Sequence, residues 1–584
     1  MNKYLFLSVT IIVGLCLGSC NESKFLREDP EDFMSSTNSF RSEADFDMSV
    51  NGLYNLVRTE FYGYDENKVF DYICGTDLTF DGEPGVPTRH SNMLAAYNPT
   101  SNIPRIHWNN LYKLVAEANT LIDRAASSSL TEELKTSFTA KGRFFRGFAY
   151  RTLGYLYGGV PLELHEVTAP KTDYVRATRE ETLNQAKEDI TFAAEHLPDI
   201  TEVRDGEISS PVAYHLLAEI CLALGLNEEA KDAATRVIDN PALDLMRNRF
   251  GSRTTGDDAD KDVYWDLFRR NNQNRGAGNT EGIWVIQFET DVPGGGSSTA
   301  GLNISGNYMW ERQCAPMVRD VKLVKDGKRY SPFNWPTSDY TGGRGIGWAI
   351  STHYFSNTIW EDDFTGDMRN ANHNFVRKFK VHNEYFGIKE IDVDHPKLLP
   401  EGVQLIVGPS NSTTIPGRYL YAYQSKCTTP YNHPDQLYEN KATYKLKGIA
   451  GTTYTDQYMF RLAETYLLRA EAYLNLNQLD LAANDINEVR NRAHAKPVTA
   501  SQVDMDYILD ERMRELGIEE KRRLTLMRTQ LLYDRVMKCN PYYANPETNG
   551  DGVGMQKHYN LWPIPESAIE ANSDAVLEQN PGYE

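Results

Sequence analysis

The chain is short of the features that mark most enzymes and most disulfide-built proteins. It has seven cysteines in 584 residues: Cys16, Cys20, Cys74, Cys221, Cys314, Cys427 and Cys539. No two beyond the first twenty residues lie close together and there is no CxxC, so a zinc site or a disulfide scaffold is not expected. Cys221 lies in an apolar helical pattern and reads as a buried free thiol. There is no GxSxG, HExxH, GxxxxGK[ST] or dinucleotide fingerprint. "GGRGIG" at 342–347 has its glycines at the wrong intervals and no strand before it. Positive charge is also in deficit. The formal charge of −20 argues against wholesale binding of nucleic acid. It favours a neutral or cationic ligand over a polyanion, unless a local basic patch overrules the average.

Long apolar runs are absent too, with one exception at the start. Lys3 is followed by "YLFLSVTIIVGLCL", a positive n-region and an h-region of signal-peptide length, too short for a comfortable membrane span. The run ends in "LGSCNE", and Cys20 could be a disulfide partner, the exit of a membrane helix or a site of lipidation. Leu-Gly-Ser-Cys resembles a lipobox, the bacterial lipoprotein processing signal. That resemblance implies a signal peptide over 1–19, Cys20 acylated as the mature first residue, and a polar, acidic tether over 20–40.

What is present is a repeat. "AYHLLAEICLALGLNEEAKDAATRVI" at 213–238 aligns without gaps on "TYLLRAEAYLNLNQLDLAANDINEVR" at 465–490, at a constant offset of 252. Tyr214 falls on Tyr466, Ala218 on Ala470, Glu219 on Glu471 and Ala230 on Ala482. Small residues twelve positions apart let two antiparallel helices approach closely, as in a tetratricopeptide-type unit. Further helices are expected over 109–126, 131–157, 180–196 and 503–529. Together the helices predict a mainly α scaffold of stacked pairs, with repeats over roughly 109–240 and 457–530. Residues 252–456 do not follow this pattern. They are rich in Gly, Asn, Asp and aromatics, with strand-like runs at 283–289 and 404–408, and form a long loop-rich, partly β insert. Loops on a rigid scaffold are where binding surfaces usually lie.

Four motifs in order, together with the lipobox, resemble the SusD/RagB family of outer-membrane nutrient-binding lipoproteins. They are "KGRFFRGFAYRTLGYLYGGVPLE" at 141–163, "FRLAETYLLRAEAYLNL" at 460–476, "ILDERMRELGIEEKRRLTLMRT" at 508–529 and "LWPIPESAIEANSDAVLEQNPGY" at 561–583. The resemblance implies a mainly α fold, a single domain over 41–584 on four tetratricopeptide-like helix pairs, in a lipid-anchored, surface-exposed outer-membrane protein without catalytic activity or cofactor. It implies that the protein captures a glycan, or in some members a peptide, and passes it to a SusC-like TonB-dependent β-barrel transporter. A surface glycosidase is the remaining alternative.

A sugar ring needs a flat aromatic for its C–H face and polar groups for its hydroxyls. Tyr308, Trp310, Trp335, Tyr340 and Trp348 sit among glycines and turn residues of the insert, where rings can stay exposed. Arg89, His90 and Tyr97 in "PTRHSNMLAAYN" could add polar contacts. Core or loop packing is the alternative for each ring. Trp108, Trp284 and Trp562 read as structural. Asp258, Asp260 and Asp262 alternate as in calcium loops but lack the glycine and distal Glu of an EF-hand. A solvated acidic loop is the alternative. The alternating charges of "ERMRELGIEEKRR" read as ion pairs on a solvated or inter-helix face.

Overall fold

Apolar residues three and four apart set the helices. The computed structural model describes residues 40–63, 68–83, 90–299, 308–395, 399–408, 415–544 and 554–583. Helix α1, Glu43–Tyr62, was not anticipated from the sequence. Its signal was there: Phe46, Val50, Leu53 and Val57 form the buried stripe, and the Asp45 carboxylate accepts the Ser42 backbone N–H at 2.8 Å. Helices α2 (Asn102–Ser127), α3 (Glu132–Leu156) and α4 (Arg179–His196) follow. Gly147 of α3 faces Ile190 and the Ala186 carbonyl of α4, where a Cβ would come within 2.8 Å of the Ile190 side chain. A glycine there is what lets the two helices pack.

The aligned repeat becomes two superimposable hairpins. Helices α5 (Ser210–Ala223) and α6 (Asn227–Ile238) correspond to α7 (Leu462–Asn475) and α8 (Leu479–Arg492). The turn position is matched as well: Gly225 and Asn477 both adopt left-handed backbone, at φ 74° and 58°. Although the insert separates them in sequence, α6 packs against α7. Thr235 accepts from Arg469 at 3.1 Å, and the Asn227 and Asn475 side chains bond at 3.0 Å. The solenoid therefore runs on across the interruption.

The expected helix over 503–529 is broken. Helix α9 (Met505–Glu515) ends, Gly517 turns left-handed at φ 51°, and α10 (Arg522–Arg528) begins on a new axis. The cause is Gln424 of the insert. Its side chain occupies the space a Cβ at 517 would need and accepts the Ile518 N–H at 3.1 Å.

Between α6 and α7 lie short strands, 3₁₀ turns and loops. Gly282–Ile286 pairs antiparallel with Gln457–Arg461, which bring the chain out of and back into the scaffold. Lys322–Lys325 pairs with Lys328–Tyr330 and with Gln404–Ile406, and Lys378–Tyr385 pairs with Ile388–Asp392.

The charged motif of α9 and α10 is an inter-element clamp, and it is buried. Glu515 accepts from Arg461 at 2.8 Å and from Arg369 at 3.1 Å, and also pairs with Arg492. Glu511 pairs with Arg369 at 2.8 Å, Arg490 at 2.7 Å and Arg514 at 2.7 Å. These partners come from the insert, its return strand and α8, so one helix face ties three regions together. Burial raises both carboxyls, but the surrounding guanidinium groups outweigh it and hold them well below the usual carboxylate range.

Cys74, Cys221, Cys314, Cys427 and Cys539 are buried, and among the described residues none of them forms a disulfide. Among the described residues, no helix is long and apolar enough to cross a membrane.

Candidate ligand-binding surface

The loop 334–345 organises the exposed face of the insert. Ser338 is its pivot: its carbonyl accepts the Tyr431 N–H at 3.1 Å and its N–H donates to the Tyr444 carbonyl at 2.9 Å. One buried residue thereby sets the positions of two tyrosines. Below it, Ser338 Oγ lies 2.7 Å from His433 Nδ1, and His433 Nε2 lies 2.7 Å from Glu311. Glu311 also accepts the Thr428 hydroxyl at 2.7 Å and the Arg344 N–H at 2.9 Å. A single buried carboxylate holds three loops in register.

Tyr431 and Tyr444 are 41% and 37% exposed, large values for aromatic residues. Both have left-handed backbone, φ 61° and 55°, which is uncommon for a bulky residue and is enforced here by the Ser338 bonds. Their rings meet edge to face at 4.8 Å, and Tyr340 joins at 6.0 Å from Tyr431. Three tyrosines from three loops thus form one ring cluster reaching solvent. Burial pushes the Tyr340 phenol up to about 12. Polar groups border the cluster. Asp339 accepts the Thr341 N–H at 2.8 Å and lies 2.6 Å from His382 Nε2.

Of the residues nominated from sequence, Tyr340 and Trp335 are partly exposed and sit on this loop. Tyr308, Trp310 and Trp348 are not surface rings. Tyr308 packs edge to face on Tyr62 at 5.3 Å and stacks on Trp310 at 6.0 Å, and all three belong to the main core. Glycines nearby marked tight turns over packed rings, not open ones. His90 and Tyr97 are buried as well. His90 lies 2.7 Å from Asp71 and 2.7 Å from the Tyr97 hydroxyl, in an interior network that continues through His107. Arg89 and Cys20 lie outside the described residues.

The three alternating aspartates diverge. Asp258 pairs with Arg253 at 2.5 Å and Asp260 with Lys261 at 2.8 Å, while Asp262 caps a short helix and lies 2.6 Å from His373. They do not converge on a common point. Among the described residues no three His, Cys, Asp or Glu are grouped to hold a metal ion.

Tyr431 and Tyr444 were missed. Their contexts, "TTPYNHP" and "NKATYKL", carry turn residues around a tyrosine, but nothing local announces a left-handed backbone. Trp108, Trp284 and Trp562 are buried, as expected. A separate cleft of about 730 Å³ lies elsewhere on the insert, bordered by His353, Asn357, Asp394, Leu405 and Leu420. Its walls are aliphatic and polar, and its Tyr421 is buried.

A helical-repeat scaffold that carries an exposed aromatic surface on an inserted set of loops is a binding architecture. The chain matches the model of the SusD family over residues 280–583, and a second model, described as starch-binding associating with outer membrane, over residues 24–222. The chain belongs to the SusD family. It is 23% identical to a SusD-like protein of Formosa agariphila, with 97% of each chain covered. It is 36% identical to the starch-binding protein SusD of Bacteroides thetaiotaomicron over 24% of each chain. Among solved structures, a laminarin-binding SusD-like protein superposes with a TM-score of 0.65 at 19% identity, covering 93% of this chain and all of that one. Surface glycan-binding protein A of Bacteroides thetaiotaomicron, in complex with laminarihexaose, gives 0.62 at 16% identity, covering 92% and 99%.

Proposed function

We propose that the protein is a cell-surface glycan-binding lipoprotein that captures an oligo- or polysaccharide and delivers it to a SusC-like TonB-dependent transporter. It binds and does not catalyse. The observation that carries the reading is the exposed Tyr431–Tyr444 pair with Tyr340. These are flat, weakly polar rings held rigid by backbone bonds, bordered by carboxylate and imidazole groups that suit sugar hydroxyls. Relatives whose names record binding of starch or laminarin support the ligand class. The remaining parts of the proposal are a signal peptide over 1–19, an anchor at Cys20 with a tether over 20–40, and one domain over 41–584.

Calorimetry against a panel of polysaccharides and peptides tests the ligand class. At least one glycan is expected to bind. Tyr431→Ala and Tyr444→Ala should each weaken it about tenfold, roughly 1.4 kcal/mol, without changing the melting temperature. Binding of peptides in place of every glycan would reject the proposal, and release of new reducing ends would reveal a glycosidase. Cys20→Ala should move the protein out of the membrane fraction.

A further inference from the structure

The acidic composition points away from anionic ligands, yet the charge is not evenly spread. Between Arg319 and Arg329 the chain carries Arg319, Lys322, Lys325, Lys328 and Arg329 against only Asp320 and Asp326. This stretch forms the hairpin of Lys322–Lys325 and Lys328–Tyr330 and leads directly to Trp335. Two guanidinium groups lie over the partly exposed Trp335 indole, Arg319 and Arg344, each 5.1 Å from the ring centroid. The indole N–H is fixed by the Gly345 carbonyl at 3.3 Å.

The two arginines differ in their partners. Arg319 is half-exposed and pairs with its neighbour Asp320 at 3.1 Å, a contact of little strength in water. Arg344 is 6% exposed, and among the described residues its buried Nε and Nη1 have no hydrogen-bond acceptor. The nearest carboxylate, Glu311, is already engaged by the Arg344 backbone N–H, Thr428 and His433. Burial pushes the Arg344 guanidinium down to about 10, Arg312 and Arg319 push the same way, and Glu311 opposes them. A buried guanidinium without an acceptor is costly to maintain, and an incoming oxyanion removes that cost.

We infer that Trp335, Arg319 and Arg344 form a subsite for an acidic sugar, one bearing a uronate carboxylate or a sulfate ester. The guanidinium groups take the oxyanion through charge-assisted hydrogen bonds, and the indole they lie against holds them in place and offers its uncovered edge to the sugar. The subsite rests on the glycan-binding reading and refines it. It shares the 334–345 loop with Tyr340, so one chain could lie across the tyrosine cluster and place an acidic residue at Trp335. The global charge of −20 does not decide the ligand's sign, because the groups nearest the ring are cationic.

The test compares matched ligands by calorimetry at low and high salt. One pair is an oligogalacturonate and its carboxyl-reduced form; the other is a sulfated galactan oligosaccharide and its desulfated form. For at least one pair the charged member should bind about tenfold tighter, with the gap shrinking in high salt. The pair that shows the gap identifies the oxyanion. Arg319→Ala and Arg344→Gln should abolish the gap, weakening the charged member far more than the uncharged one. If Arg344→Gln melts abnormally, the exposed Arg319→Ala decides alone. Equal binding of charged and uncharged members by the wild type overturns the subsite while the glycan-binding reading stands, and so does a gap that survives both variants. Binding of no glycan at all, charged or neutral, removes the broader reading instead.

Discussion

Two of the regions that bury arginine treat it in opposite ways. At the clamp of α9 and α10, Arg369, Arg461, Arg492 and Arg512 each face carboxylates at hydrogen-bond distance, and their pKa values are raised. In the insert, Arg344 and Arg269 are also buried, but among the described residues the guanidinium of neither bonds a carboxylate, and burial lowers both to about 10. Among the described residues Arg269 donates to the Trp265 and Ser425 carbonyls, and it lies 4.5 Å over the Trp265 ring. Where loops must be fastened to the scaffold, charge is closed on itself. Beneath the exposed face, it is left open.

The largest effect is expected at the clamp. Glu515→Gln removes the negative charge shared by Arg461, Arg369 and Arg492. Leaving three buried cations short of a partner should destabilise the fold by roughly 3–5 kcal/mol, read as a shift in the urea midpoint. A loss below about 1 kcal/mol would mean the clamp is incidental.

A smaller effect of two signs is expected with pH. The folded-state pKa values of Glu511 and Glu515 lie below the ordinary 4.5, so their stabilisation is present above that pH and is lost as the pH falls. Glu464 behaves oppositely. It is raised to about 7 by burial, with Glu520 and Glu219 adding to the rise and Arg512 opposing it. Its contribution is complete below pH 4.5 and fades as the pH rises through about 7. Melting temperature against pH should therefore fall steeply in acid, and Glu464→Gln should remove a decline between pH 4.5 and 7. A variant with the wild-type slope over that window would show that Glu464 is ionised in the fold.

The repeats of the scaffold were legible in the sequence, apart from the helix at 43–62 and the break at Gly517, while the surface was hardly legible at all, and the reason is physical. Helical repeats are encoded locally: the twelve-residue spacing of Ala218 and Ala230, and of Ala470 and Ala482, marks contacts that the same short stretches then make. The clamp was legible as a charge pattern, but its burial was not, because the partners Arg369 and Arg461 come from distant segments. Ring exposure is set by what the rest of the chain places on top. Trp310 and Trp335 stand in similar turn-rich contexts, yet one lies in the core and the other reaches solvent. Tyr431 and Tyr444 depend on two backbone bonds from Ser338, which no local pattern announces.

The smallest effect discriminates most sharply between the two regions. Arg522 of the clamp bonds Asp77 through two nitrogens at 2.8 and 2.7 Å. Arg522→Met should cost about 3–5 kcal/mol, because part of the Asp77 charge is left buried without its partner. Arg344→Met removes a guanidinium that bonds no acceptor among the described residues and substitutes an apolar chain of comparable reach. The contact with Trp335 is lost, together with a buried charge that Glu311 offsets only in part. Stability should change by less than about 1 kcal/mol, and in the stabilising direction if the charge outweighs the ring contact. Paired urea melts of the two variants decide the matter. If Arg344→Met is as damaging as Arg522→Met, the insert arginine is another closed charge of the scaffold type. If it is neutral or stabilising, the residue is kept for something other than folding, and the exposed indole beside it is where that role is read.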